Sequence, residues 1–517
     1  MKKQIQALYI DLFCGAGGTS SGVEYARLDG KKCAEVIACV NHDANAIKSH
    51  KANHPHTLHF IEDIRTLELS PIIKHLEKKR HQYQEAKVVL WASLECTNFS
   101  KAKGGQPRDA DSRTLAEHLF RYIETLKPHY IQIENVEEFM CWGALDEKGK
   151  PVSRDKGSDY LRWVKQVQAY GYDYDWRVLN AADFGAYTSR KRFFGLFARH
   201  GLPIAFPEQT FAKNGDEGGI FNQYKQWRAV REVLDLDDDG ESILLRKKPL
   251  CEKTLERIYA GLVKFVAGGK EQHQAWILKY NSMNKQHHHN APSIEEPCPT
   301  VATQNRLGLV KCQFLSKQFS GNPNGKNIDI EQPAGTVTTI DHHAFVTAYY
   351  GNGYNSSIDR PSHTLTTRSR HAFVSTKQYL MNPQYQNKGG SIDNPCFTLI
   401  ARMDKMPPYL ITTKEGEVGI AIYESDSPWT RKVKEFMAAY GIVDICMRML
   451  NIGELKRIMG FPTDYVLIGT QAEQKKFIGN AVEVNMSRVL CEALCRKISV
   501  SASNQPQISP KSAPNQP

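Results

Sequence analysis

The stretch Leu8-Tyr9-Ile10-Asp11-Leu12-Phe13-Cys14-Gly15-Ala16-Gly17-Gly18 decides the fold. An apolar run ends in an acid, an aromatic and a glycine-rich turn, and a helix-like stretch follows through Val23 to Leu28. Strand, glycine turn and helix bring backbone N–H groups and a helix N-terminus close to a nucleotide-like ligand. The dinucleotide fingerprint G-x-G-x-x-G fails, because Ser20 stands where the third glycine would be. That argues against a nicotinamide-dependent oxidoreductase.

Working outward, strand-like runs alternate with helical patterns from residue 1 to about 210. Val36–Val40, Val88–Ala92 and Tyr130–Ile133 read as strands, and Leu115–Leu126 reads as a helix stopped by Pro128. This alternation predicts an α/β, doubly wound, Rossmann-like domain over 1–210, with ligands at the C-terminal ends of the strands. Asp11, Asn41, Cys96 and Glu134 all follow such ends.

The region 211–440 reads as β-rich. It holds four copies of one pattern, Ile294–Val301, Ile330–Val337, Ile358–Leu365 and Ile392–Leu399, whose prolines are 36, 28 and 34 residues apart. Each copy reads as a turn followed by the start of a strand. Several lead into basic or histidine-bearing tips, at Arg306, His342, His343, Arg368, Arg370 and His371. Such tips suit phosphates and guanine edges, or they are solvated turns of a packing repeat. Over 441–498 the α/β character returns, and 499–517 is rich in Ser, Pro, Gln and Asn, as disordered tails are.

The 517 residues carry a formal charge of +11, which suits a polyanionic partner. Twelve cysteines occur without a C-x-x-C pair, so neither a disulfide scaffold nor a metal site is expected. Cys491 and Cys495, one helical turn apart, read as small buried residues on one face. His287-His288-His289 reads as a solvated run. With no signal peptide and no apolar run long enough to span a bilayer, the chain is expected to be cytoplasmic and monomeric, away from membranes.

Five motifs occur in a fixed order: Asp11–Gly18, Cys96 after the run Val88–Leu94, Glu134-Asn135-Val136, Arg190-Lys191-Arg192, and Gly479-Asn480-Ala481-Val482. In this order they resemble the DNA cytosine-5 methyltransferases of bacteria, phages and mobile elements, over nearly the whole chain except the central region. There the family places its target-recognition domain. The resemblance implies S-adenosylmethionine as cofactor, double-stranded DNA as partner and base flipping. It also implies a place in DNA methylation of the restriction-modification kind.

The chemistry accounts for the residue types. Cytosine C5 is a weak carbon nucleophile, and a thiolate adding at C6 makes it enamine-like. Cys96 stands at the nucleophile's position. Glu134 resembles the glutamate that supplies a proton or hydrogen bond at N3, and Arg190 and Arg192 resemble the paired arginines that hold the flipped base and the cysteine loop. Asp11, Phe13, Gly15, Gly17, Asn41, Asp63 and Asn480 match the cofactor's surroundings. Asp63 resembles the acceptor for the adenine amino group, and Asn41 replaces the family's glutamate on the ribose.

Two departures lie close to the chemistry. Glu95-Cys96-Thr97 replaces Pro-Cys-Gln, which frees the loop and sets a carboxylate beside the thiol. Tyr187-Thr188 replaces Pro-Gln before the arginine pair. Three alternatives to cytosine methylation of DNA therefore stay open: a catalytically weak DNA-binding protein, an RNA substrate, or a modified base. The long central region argues against RNA.

Overall fold

A computed structural model describes residues 5–94, 116–143, 153, 156–215, 224–267, 275–280, 289, 291–303, 306–314, 420–439 and 442–503, together with short strands between 345 and 418. Seven strands form one sheet: β1 (Ala7–Leu12), β2 (Ala34–Asn41), β3 (Leu58–Ile61), β4 (Lys87–Ser93), β5 (Tyr130–Asn135), β6 (Tyr172–Asn180) and β7 (Lys191–Arg199). Their order is β3-β2-β1-β4-β5-β7-β6. The first five in space run parallel, and β7 runs antiparallel to both β5 and β6. Strand order reverses between β1 and β4, the topological switch point at which open α/β sheets bind ligands. The doubly wound expectation is met.

The strands read as unbroken apolar runs because both faces of the sheet are covered. Leu8, Ile10 and Leu12 of β1 join Val88, Leu90 and Ala92 of β4 in one core. That core is completed by Ile72 and Leu76 of α3 (Ser70–Gln82), Leu119 and Ile123 of α4 (Leu119–Leu126), and Trp163 and Val167 of α5 (Ser158–Ala169). Ala7, Tyr9, Val89 and Trp91, the alternate residues, enter the opposite core. Val23 of α1 (Gly18–Tyr25) enters it too, as do Met486, Leu490 and Leu494 from a helix near the chain's far end, Val484–Ser503. Gly22 makes this close approach possible: a Cβ there would lie 2.4 Å from the Val484 carbonyl oxygen.

Capping accounts for the remaining helices. Asp43 Oδ1 accepts from the Asn45 and Ala46 amides and starts α2 (Ala44–Asn53). Reciprocal capping boxes start α6 (Ile452–Ile458), through Asn451 and Glu454, and α7 (Gln471–Asn480), through Thr470 and Glu473. The long helix Val484–Ser503 becomes α8. It corrects the expectation for 499–517, because residues 499–503 are helical; those beyond 503 lie outside the described residues.

The chain divides into two compact units, one of 1–234, 295–305 and 451–517, the other of 235–294 and 306–450. The boundaries expected at 210/211 and 440/441 therefore stand at 234/235 and 450/451. The first repeat copy returns to the first unit because its backbone pairs with the segment before β7: Ser189 N donates to Cys298 O at 2.9 Å, and Cys298 N donates to Tyr187 O at 2.6 Å.

In the second unit, the antiparallel strands Glu241–Ser242, Ile442–Met449, Leu307–Phe314 and Ala275–Lys279 form a sheet in that order. The helices Glu252–Phe265 and Pro428–Ala439 share a core with it through Leu255, Ile258, Leu262, Val433 and Met437. A strand follows each repeat copy, at Leu307–Phe314, Phe345–Ala348, His371–Val374 and Tyr409–Ile411. The tips at His342, His343, Arg368 and Arg370 lie outside the described residues. His289, expected to be solvated, instead sets Nε2 3.7 Å from Glu256 Oε2. Among the described residues no helix is long and apolar enough to cross a membrane.

Candidate functional site

The glycine turn leaves the C-terminal end of β1 in a backbone course few side chains tolerate. Phe13, Gly15 and Gly17 have φ of 61°, 53° and 105°. At Gly17 a Cβ would meet Tyr465 Oη at 2.4 Å, and that hydroxyl donates to Ala16 O at 2.5 Å. A Cβ on Gly15 would meet nothing within 4 Å, so the turn faces open space there. A Cβ on Gly18 would lie 2.5 Å from Val482 O, so the first and last sequence motifs are packed together. Asn480, exposed at the end of α7, belongs to that last motif.

Asp11 lies within β1, wholly buried; its Oδ2 accepts from Ser20 Oγ at 2.8 Å, and Oδ1 has no hydrogen-bond partner. Burial pushes its carboxyl up from 3.8 to about 7, with the Ser20 hydroxyl opposing. The folded state therefore keeps a proton the unfolded chain releases, and stability falls as pH rises from 3.8 to about 7. Asp11→Asn removes this contribution, so the melting temperature of the variant relative to the parent is expected to climb across that window. A difference that stays flat with pH would contradict the assignment.

Asn41 ends β2, with Oδ1 accepting from the Asp43 amide at 2.8 Å. Asp63 is held by Arg65, whose Nε and Nη2 lie 2.9 and 2.6 Å from Oδ2. This guanidinium holds the Asp63 carboxyl below its ordinary value of 3.8. Asp63 thus meets its own neighbour in the chain, and an incoming donor would have to share or displace Arg65.

The second group lies at the ends of β5 and β7. Glu134, 5% exposed, sets Oε1 3.3 Å from Arg192 Nε. Asn135, opposite Phe193 in the β5–β7 register, donates from Nδ2 to Leu94 O at 3.4 Å and accepts the Val136 amide at 2.8 Å. It ties β5 to the last described residue before Cys96; Glu95, Cys96 and Thr97 lie outside the described residues. Arg190 is buried and donates to Val301 O at 3.2 Å. Buried Glu483 accepts the Met486 amide at 2.6 Å, and burial raises its carboxyl to about 7, with Arg488 and Arg190 among the charges opposing.

The structure thus gathers Asp11, Phe13, Gly15 and Gly17 in one turn, and Glu134 with Arg192 across adjacent strands. The sequence reading missed Ser20, Asn135, Tyr465 and Glu483. Ser20, Asn135 and Glu483 lie within or beside the quoted motifs and could have been weighed for their polarity. Tyr465 carries no local signal, since its partner is 449 residues away.

A family model for C-5 cytosine-specific DNA methylases matches residues 8–496. Among curated relatives, the type II methyltransferase M.XorII of Xanthomonas oryzae pv. oryzae is 34% identical over 208 residues, covering 39% of this chain and 43% of its own. M.AgeI of Thalassovita gelatinovora is 30% identical over 212 residues, covering 41% and 44%. The chain thus spans less than half the length of these two relatives. The solved structure of Spodoptera frugiperda DNMT2, in a mutant form, aligns over 95% of this chain and 99% of its own, at 13% identity and a TM-score of 0.44.

Proposed function

From its membership of the C-5 cytosine-specific DNA methylase family, we propose that the chain methylates C5 of cytosine in a specific sequence of duplex DNA. The observation that carries this reading is the pairing of buried Glu134 with half-buried Arg192 at the ends of β5 and β7, with Asn135 reaching back to Leu94. A DNA-binding module has no need of a buried carboxylate held by a guanidinium across the ends of β5 and β7.

The turn fits S-adenosylmethionine: open space at Gly15, close packing behind Gly17 and Gly18, and the unpartnered Asp11 Oδ1 in the same segment. When bound, this cofactor supplies an electrophilic methyl group. Phe13, Gly15, Gly17, Asn41, Asp63 and Asn480 would hold it. Cys96 adds its sulfur to C6 of the flipped cytosine, and Glu134 protonates or hydrogen-bonds N3 as charge reaches the ring. Arg192 orients Glu134 and the base, while Arg190 fixes the segment through Val301. Once C5 carries the methyl group, its proton passes to a solvent base, the sulfur leaves C6 as the thiolate and the C5–C6 double bond returns. The second unit, with its strand-forming repeats, reads the target sequence, and the +11 charge favours phosphate contacts.

DNA carrying 5-fluorocytosine tests this directly, because fluorine at C5 blocks the final elimination. The full chain with S-adenosylmethionine is expected to form a covalent adduct whose cross-linked peptide contains Cys96. Bisulfite sequencing of DNA from a methylation-free host expressing the chain would give the site. Absence of both adduct and methylated sites would leave a DNA-binding protein.

A further inference from the structure

The turn from Asp11 to Gly18 closes over a side-chain cluster that the chemistry above does not use. Cys14 in the turn, Cys39 in β2 and His50 in α2 are all buried, and their ligand atoms lie within 4.8 Å of one another. His50 Nδ1 is 3.7 Å from Cys39 Sγ and 3.0 Å from Nε2 of His59 in β3. The polarity of His50 is set from behind. Where Asp11 is ionised, Ser20 donates its one hydroxyl proton to Asp11 Oδ2 at 2.8 Å, so across the 2.9 Å to His50 Nε2 it accepts. The imidazole proton therefore sits on Nε2, and the Nδ1 lone pair faces the sulfur and His59. A hydrogen-bonded acceptor behind the distal nitrogen is what orients ligating histidines in metal sites.

We propose that Cys14, Cys39 and His50 bind a single zinc-class divalent ion directly beneath the glycine turn. Two thiolates and a neutral imidazole are donors that zinc takes, with a fourth position left open, and the two thiolate charges cancel those of the ion. Neutrality matters because an uncompensated charge is costly in a buried cluster. Cys33, Cys491 and Cys495 also bring their sulfurs within 4.8 Å, but three thiolates around a divalent ion leave a net negative charge and no imidazole. His59 is only partly buried, so it offers the ion a way in. On binding, the two thiol protons leave as two sulfur–metal bonds form, so affinity rises with pH. The ion would fasten the turn to β2 and α2 at one point.

The test is titration of Co(II) into the full chain, reduced and stripped with a chelator, followed by absorption. The expected result is the visible bands of tetrahedral Co(II) with thiolate charge transfer, saturating at one ion per chain. Cys39→Ser and His50→Gln should each remove that spectrum, and Ser20→Ala should weaken binding by about 10- to 100-fold. The double change Cys491→Ser with Cys495→Ser should leave the spectrum as it was. His59→Gln, beside His50 but outside the ligand set, should keep the thiolate bands, which separates loss of a ligand from a general disturbance of the cluster. The proposal is overturned if saturating Co(II) gives no thiolate charge transfer, if Cys39→Ser or His50→Gln leaves the bands unchanged, or if only the Cys491/Cys495 variant loses them. None of these outcomes bears on methyl transfer.

Discussion

Glu134→Gln is expected to slow methyl transfer by about 10²- to 10⁴-fold, the range a positioned general acid supplies. Glutamine keeps the shape and one acceptor for Arg192 but cannot pass a proton to N3. The geometry makes the comparison clean. Glu134 is inside β5, 5% exposed, with backbone neighbours on both sides in a parallel and an antiparallel ladder. The strand should therefore hold its course, and DNA affinity should change far less than the rate. Single-turnover methylation at saturating DNA, with DNA binding measured separately, checks this. A rate close to the parent's would remove Glu134 from the chemistry and return it to the role of ion-pair partner.

Phe139→Ala is expected to cost about 3–5 kcal/mol of stability, the range for deleting a large ring from a packed core. Phe139 is 2% exposed, and its ring centroid lies 5.7–6.0 Å from those of Trp142, Tyr160, Trp163 and Phe193. Four rings cannot all relax into one gap, so most of the cavity should persist. Phe193 follows Arg192 and faces Asn135 across the β5–β7 ladder, so the void opens beside the candidate site. Denaturant unfolding of the full chain should show an earlier midpoint for the first unit. A loss below about 1 kcal/mol would mean that the cluster collapses around the missing ring.

The sheet was legible because its strands are covered on both sides: Leu8-Tyr9-Ile10 alternates between two cores, yet every residue is apolar. The turn was legible because left-handed backbone demands glycine at Gly15 and Gly17. What the sequence concealed depends on long-range pairing. The repeat copy at Ile294–Val301 looks like its three fellows, yet its backbone pairs with Tyr187–Ser189, and no local pattern announces that. The Asp63–Arg65 contact was open to inspection two residues along, but the resemblance drew attention to an adenine instead. The Cys14, Cys39 and His50 cluster draws on three elements at irregular spacings, unlike the short regular spacings of metal motifs.

The face that α8 covers has a consequence for synthesis. Arg27, just beyond α1, meets Glu492 of α8 through a bond spanning 465 residues. At roughly 5–20 residues per second, about 20–90 s pass between the emergence of these two segments from the ribosome. Throughout that interval Tyr9, Val23, Val89 and Trp91 lack the Met486, Leu490 and Leu494 surface that finally shields them. The nascent chain thus carries an unsealed apolar flank until α8 emerges, and this helix acts as a latch whose arrival completes a domain begun at β1. Chaperone occupancy during translation should accordingly be greatest on this flank and fall only after α8 has cleared the exit tunnel.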